Sequence, residues 1–257
     1  MRNRAPAIAL LGMLAALMSL PAVAESRGGE AKRLDSLDQS ESDFRVAVAA
    51  HRRGDLALAE ANYLEAIRED ESFVEAMVNL ARVQLAVGEP ARALHWLDRA
   101  ERIQPHFPQV AAVRGVVALH SGDAALAMDM LAEANALMPG DADVRVNLGA
   151  ALIEGGLPAR AIGVLSRAVE ADPDSPDALF NIGLAHDHAG KAQEAAFFYA
   201  RFLELVATGD PDRGGVEKRI DELKGERGSD GVQFGEVLAV TSGPLEEKAV
   251  NTKEISK

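Results

Sequence analysis

The chain has no cysteine. It therefore has no disulfide framework, no thiolate nucleophile and no thiolate metal ligand. It also has no thiol to carry a lipid, which excludes a bacterial lipoprotein. Aromatics make up only 4% of the chain, against 48% apolar residues. A core built mainly of alanine and leucine points to closely packed helices. Basic residues are few, 27 against 40 acidic ones, for a net charge of −13. That balance opposes binding to nucleic acid or to an anionic membrane surface. It favours solubility and a basic partner. Catalytic signatures are missing too. There is no G-x-x-x-x-G-K-[ST] and no G-x-S-x-G.

Long apolar runs are absent apart from one near the start. Ala7 to Leu20 is apolar except for Gly12 and Ser19. It follows Arg2 and Arg4 and precedes Ala22-Val23-Ala24 and Glu25. A charged n-region, an apolar h-region and an A-x-A site together predict a secretory signal over 1–24. The run is short for a membrane span, which needs about 20 apolar residues. An uncleaved anchor is the alternative. The expected location is periplasmic, with no direct membrane binding after cleavage.

What the chain does have is a period of 34. Gly54, Gly88, Gly122, Gly156 and Gly190 keep that spacing, as do Ala59, Ala93, Ala127, Ala161 and Ala195. Ala66, Ala100, Ala134 and Ala168 follow it, with Pro105, Pro139 and Pro173. Five units result, at 40–73, 74–107, 108–141, 142–175 and 176–209. Within each unit the glycines fall at position 15, the alanines at 20 and 27 and the prolines at 32. Position 8 is always small (Ala47, Ala81, Gly115, Gly149, Gly183) and position 24 always large (Tyr63, Leu97, Leu131, Leu165, Tyr199). Positions 4, 7, 8 and 11 form one apolar stripe at helical spacing. Small residues let two helices approach closely. Glycine at 15 suits the left-handed end of a first helix, A. Proline at 32 ends a second helix, B. No unit can bury its apolar face alone, so the units stack.

This pattern resembles the tetratricopeptide repeat (TPR), a helix–turn–helix of 34 residues. The fourth unit, "NLGAALIEGGLPARAIGVLSRAVEADP" at 147–173, is the best match. The expected fold is all-α: an α-solenoid of five repeats plus a C-terminal capping helix. The cap is placed at 210–225, where Val216, Ile220 and Leu223 sit at i, i+4 and i+7. Residues 25–39 read as a linker, with Ser40-Glu41-Ser42-Asp43 as a capping box opening the first helix. Residues 226–257 turn polar and irregular and read as a disordered tail. Arg114 stands at position 7, where the other units are apolar. It is expected to snorkel out of the core, with a buried acidic partner as the alternative.

The resemblance implies a groove lined by the A helices. At 100° per residue, positions 2, 5, 6, 9, 12 and 13 oppose the core stripe. The candidate partner-binding residues are Phe44, Arg45, Val78, Asn79, Arg82, Leu85, Val116, Leu119, Val146, Asn147, Ile153, Phe180, Asn181, Leu184 and Asp187. The set is apolar for a surface facing water, and such patches mark interaction sites. Asparagine both donates to and accepts from a peptide backbone. The acids at position 2 (Glu41, Glu75, Asp143, Asp177) suit helix N-termini or form a rim selecting a basic partner. The chaperone type of TPR, which grips a terminal carboxylate, is set aside, because apolar residues fill most clamp positions. An amphipathic helix or an extended apolar peptide is the expected ligand.

"GLAHDHAG" at 183–190 is the one stretch that looks like a metal site. His186 and His188 are two residues apart, about 200° around a helix, and point to opposite faces. His186 reads as a partly buried packing residue with a hydrogen bond, and Asp187 as a polar edge of the groove. No cofactor, metal or catalytic residue is expected. The functional expectation is a non-enzymatic scaffold or adaptor that helps assemble a cell-envelope complex. By resemblance, such systems include pilus, secretion, polysaccharide-export and cytochrome-maturation machines. A homo-oligomer joined through its groove is the alternative.

Overall fold

The computed structural model describes residues 21–211 and 213–225. Most of the expected signal and all of the expected tail at 226–257 lie outside the described residues. Among the described residues there are eleven helices and no strand. They are α1 (Pro21–Arg52), α2 (Leu56–Glu69), α3 (Val74–Ala86), α4 (Pro90–Ile103), α5 (Pro108–His120), α6 (Ala124–Leu137), α7 (Ala142–Glu154), α8 (Pro158–Ala171), α9 (Pro176–His188), α10 (Ala192–Leu205) and α11 (Arg213–Gly225). The chain forms two compact units, one ending at Val113 and one beginning at Arg114, so the division falls inside α5.

The helix boundaries follow the 34-residue register. α3, α5, α7 and α9 each begin at position 1 of their repeat. Each A-to-B turn is built by its glycine. Gly54, Gly88, Gly122, Gly156 and Gly190 all have φ between 70° and 81°, a region that penalises a Cβ. The next residue's N–H then reaches back to the carbonyl at position 11, as in Asp55 to Ala50, Asp123 to Ala118 and Lys191 to His186. This is the Schellman closure of a helix C-terminus. Helices α4, α6 and α8 each stop with a cap residue just before Pro105, Pro139 or Pro173. Where Glu71 replaces the proline, the Asp70 carboxylate instead accepts from the Ser72 N–H and hydroxyl, making the turn by a local side-chain bond.

Close approach of the paired helices explains position 8. A Cβ on Gly149 would collide with the Leu165 side chain. On Gly115 it would lie 2.5 Å from Leu131 Cγ, and on Gly183 2.7 Å from the Tyr199 ring. Position 24 therefore fills the space that position 8 leaves. In the first two repeats the equivalent alanines, Ala47 and Ala81, are fully buried, as are Tyr63 and Leu97. Arg114 is half-buried at its position on the core stripe.

The N-terminal expectations need correction. α1 is continuous from Pro21, so residues 25–39, read as a linker, are helical. Ser40 does not open a helix. It lies inside α1, is buried, and its hydroxyl donates to the Ala66 carbonyl of α2. The capping-box pattern is therefore a helix–helix contact.

At the other end, α11 takes the place a sixth A helix would occupy. Val216, Ile220 and Leu223 are buried, clustered with Leu179, Tyr199 and Phe202. Burying three such side chains contributes about 1.5–3 kcal/mol each. Arg213 donates to the carbonyls of Leu203 and Val206, which the end of α10 leaves without helical partners. Phe202, bulky where other repeats have alanine, joins that cluster.

Candidate partner-binding site

The A-helix positions that face away from the core do not form one uniform surface. In the unit ending at Val113, Phe44 packs its ring 5.8 Å from Tyr63 and 4.8 Å from Phe73. Arg45 is exposed and ion-paired to Glu41 one turn back. Val78 is only 2% exposed. Asn79 and Leu85 are half-buried and Arg82 is exposed. His51, at position 12, meets Tyr63 edge-on at 6.3 Å. Burial, with Arg82 nearby, lowers its pKa.

In the unit beginning at Arg114, Val116, Leu119, Val146, Asn147 and Leu184 are half-buried. Leu119 and Leu184 rest against the main core cluster. Ile153 is 4% exposed. Phe180 sits 6.0 Å from Tyr199 and 5.5 Å from Phe202. The Asn181 amide donates to the Asp177 carbonyl of its own helix, leaving its oxygen to accept.

Asp187 departs furthest from expectation. Arg219 of α11 holds its carboxylate with two hydrogen bonds of 2.8 Å. The Tyr199 hydroxyl lies 3.4 Å from the same carboxylate. The Arg219 bonds hold the Asp187 pKa below its usual value against the opposing effect of burial. Burial and the neighbouring Asp187 charge raise that of Tyr199. Asp187 is therefore a bolt for the cap, not an edge waiting for a ligand.

Five of the fifteen candidates thus serve packing or closure. Val78 and Ile153 are buried, Phe44 and Phe180 pack on aromatic neighbours, and Asp187 is ion-paired. A single-helix projection places them opposite the stripe, but in a stack of repeats an A helix has neighbouring A helices as well as its own B helix. α7 and α9 are in direct contact. Sequence reasoning missed Arg219, whose guanidinium reaches Asp187, and the buried Tyr199 hydroxyl 3.4 Å from the same carboxylate. Position 24 reads as core, and a tyrosine there adds a polar tip to an apolar body.

The GLAHDHAG stretch resolves similarly. His186 is 8% exposed and stacks on Phe198 at 5.4 Å. Burial, the largest influence, lowers its pKa. Its Nδ1 has no hydrogen-bond partner among the described residues, so the expected hydrogen bond is replaced by ring stacking. Among the described residues, no group of three or more His, Cys, Asp or Glu side chains is placed to hold a metal. No described helix is long and apolar enough to cross a membrane.

Tetratricopeptide repeat models match residues 50–116 and 118–179, and a further one matches 177–207. The chain belongs to the tetratricopeptide repeat family. The structure of PilF from Pseudomonas aeruginosa is similar over 80% of this chain and 99% of that one, with TM-score 0.60 and 17% identity. That of TTC0263, a thermophilic TPR protein in Thermus thermophilus, covers 72% and 98%, with TM-score 0.59 and 21% identity. YrrB, described as a TPR protein with an unusual peptide-binding site, covers 69% and 90%, with TM-score 0.51 and 20% identity. At these identities the likeness concerns the fold. No curated protein matches the chain. TPR arrays are interaction scaffolds, whose stacked helices present extended binding surfaces.

Proposed function

We propose that this TPR protein is a non-enzymatic, exported scaffold that holds a protein or peptide segment along its A helices. The observation that carries the reading is the half-buried row Val116, Leu119, Val146 and Leu184, with Asn147 beside it. Apolar side chains left partly open next to an amide make a surface suited to an amphipathic helix or extended apolar segment. The Ala7–Leu20 run and the Ala22-Val23-Ala24 motif support export to the periplasm. A role in assembling a cell-envelope complex follows from that location.

Aspartate at both Val116 and Val146 tests the site. Partner capture should be lost while far-UV helicity and the melting temperature stay close to the parent's. Capture that persists places the site elsewhere. Sedimentation of the mature protein separates scaffold from self-assembly, since a strict monomer removes the homo-oligomer. Release of the protein by osmotic shock, with the signal removed, is the expected outcome for export. Retention in the cytosol contradicts it.

A further inference from the structure

The half-buried row Val116, Leu119, Val146 and Leu184 begins beside the end of the described chain. Leu184 packs against the cluster that seats Val216, Ile220 and Leu223 of α11. One turn further along α9, Asp187 is held by Arg219 through two bonds of 2.8 Å. These contacts fix α11 alongside α9. α9 in turn packs on α7, which carries Val146. Beyond it, Ala118 and Leu119 of α5 join the cluster of Leu148 and Leu152 of α7. The order of helices is therefore α11, α9, α7, α5. α11 ends at Gly225, about 9 Å along the axis past Arg219. The sequence that follows is mostly polar until "FGEVLAV" at 234–240. That stretch holds Phe234, the one aromatic residue between 226 and 257, with Val237, Leu238, Ala239 and Val240 and a single acid, Glu236.

We infer that residues 234–240 dock on this row of their own chain. The inference rests on the groove function above in one respect: if the row is the partner's site, the partner must displace the segment. Reach permits the docking. Phe234 follows Gly225 by nine residues, which span at most about 30 Å. Packed helix axes lie about 8–10 Å apart, so Leu184 is one spacing from α11 and Val146 two. The seven residues 234–240, extended, cover about 23 Å, enough to run from Leu184 past Val146 to Val116. Phe234 then meets Leu184, Leu238 meets Val146 and Val240 meets Val116. Each contact removes from water an apolar side chain that the core leaves partly open. Tethering strengthens the docking without new contacts. A short linker supplies an effective concentration on the order of millimolar. A segment with an intrinsic dissociation constant of about 0.1 mM would then be about nine-tenths docked, and would weaken a competitor about tenfold.

The chain has no cysteine, so an introduced pair is the sole route to a disulfide. The test places Leu238→Cys and Val146→Cys in the full chain and oxidises it with copper phenanthroline at low protein concentration. An intramolecular cross-link should form about tenfold faster than in a chain with Leu238→Cys and Leu126→Cys, although Leu126 on α6 is 47% exposed. Phe234→Cys with Leu184→Cys should cross-link as readily, and serves where circular dichroism shows that Val146→Cys disturbs folding. A fluorescent synthetic peptide of residues 230–244 gives the second readout. It should bind the full chain carrying Phe234→Asp and Leu238→Asp about tenfold more tightly than the parent, whose row is already filled. Equal cross-linking rates at Val146 and Leu126 overturn the docking. Cross-linked dimers in place of the intramolecular product also overturn it, because the occupant is then a second copy. So does a peptide affinity equal in the two chains. Absence of the cross-link, with partner capture still lost in the Val116→Asp/Val146→Asp chain, overturns the docked segment and leaves the groove. A fast cross-link, with capture that persists in that chain, upholds the docked segment and removes the row as the partner's site.

Discussion

The first and fifth repeats begin from one pattern and end in different chemistry. Both pair a small residue at position 8 with a buried tyrosine at position 24, Ala47 with Tyr63 and Gly183 with Tyr199. In the fifth, the following helix is a cap, and its Arg219 binds Asp187. In the first, the following helix is another repeat, and His51 meets Tyr63 edge-on at 6.3 Å. At this corner, between the tyrosine and the following helix, position 12 is histidine in the first repeat and aspartate in the fifth. The fifth repeat is thus bolted to the helix after it by an ion pair, while the first packs its Phe44 ring 4.8 Å from Phe73 at the start of the next repeat.

Four substitutions test that contrast. Ile220→Asp in α11 should have the largest effect. It places a charge among Leu179, Tyr199 and Phe202, and should cost about 3 kcal/mol or more. Hydrogen exchange should accelerate in α9 and α10 while α1–α3 keep their protection. Faster exchange spread evenly through α1–α10 would mean the ends are not independent.

Arg219→Ala comes next, with a loss of about 1–2 kcal/mol, because it leaves a largely buried carboxylate without its bidentate partner. It should also change the acid response. The folded-state pKa of Asp187 lies below its unfolded value, so its contribution to stability is present above the unfolded pKa and is lost as pH falls through the folded one. The variant's stability should therefore fall less steeply in acid than the parent's, as read by urea melts across that range.

His186→Phe sharpens the comparison at milder pH. Burial lowers the His186 pKa, with Glu194 opposing and Lys191 assisting. As pH falls below 6.5 toward that lowered value, the unfolded chain takes up the proton first, and stability drops. Phenylalanine should flatten this limb and keep the ring against Phe198. An unchanged slope would show that His186 does not titrate out of register with the unfolded chain.

The smallest expected change is at Arg82. Arg82→Ala should alter stability by less than about 0.5 kcal/mol, as for exposed surface sites without partners. A loss equal to that of Arg219→Ala would mean the first corner is closed too.

The repeat architecture was legible in the sequence because glycine, alanine and proline each act locally. Gly156 needs its positive φ whatever surrounds it, and Ala161 must be small wherever two helices cross. The cap was legible for the same reason, from Val216, Ile220 and Leu223. The start of α1 was not, because helix propensity is weak across "SRGGEAKRLDS" and the Ser40 pattern fits a helix start as well as a helix interior. Ser40's true partner, the Ala66 carbonyl, lies on another helix. The groove was legible only in part. Period alone puts Val78 and Ile153 on the outer face, and neighbouring elements then bury them. The reach of Arg219 to Asp187, across 32 residues, depends on how α11 lands, which no spacing rule gives.

The most direct test compares partner capture by the full chain, by the Val116→Asp/Val146→Asp variant and by Arg219→Gln. The double aspartate variant should lose capture with its melting temperature close to the parent's. Arg219→Gln should lower the melting temperature and leave capture near that of the parent. Equal capture by the parent and the double aspartate variant would contradict the groove reading.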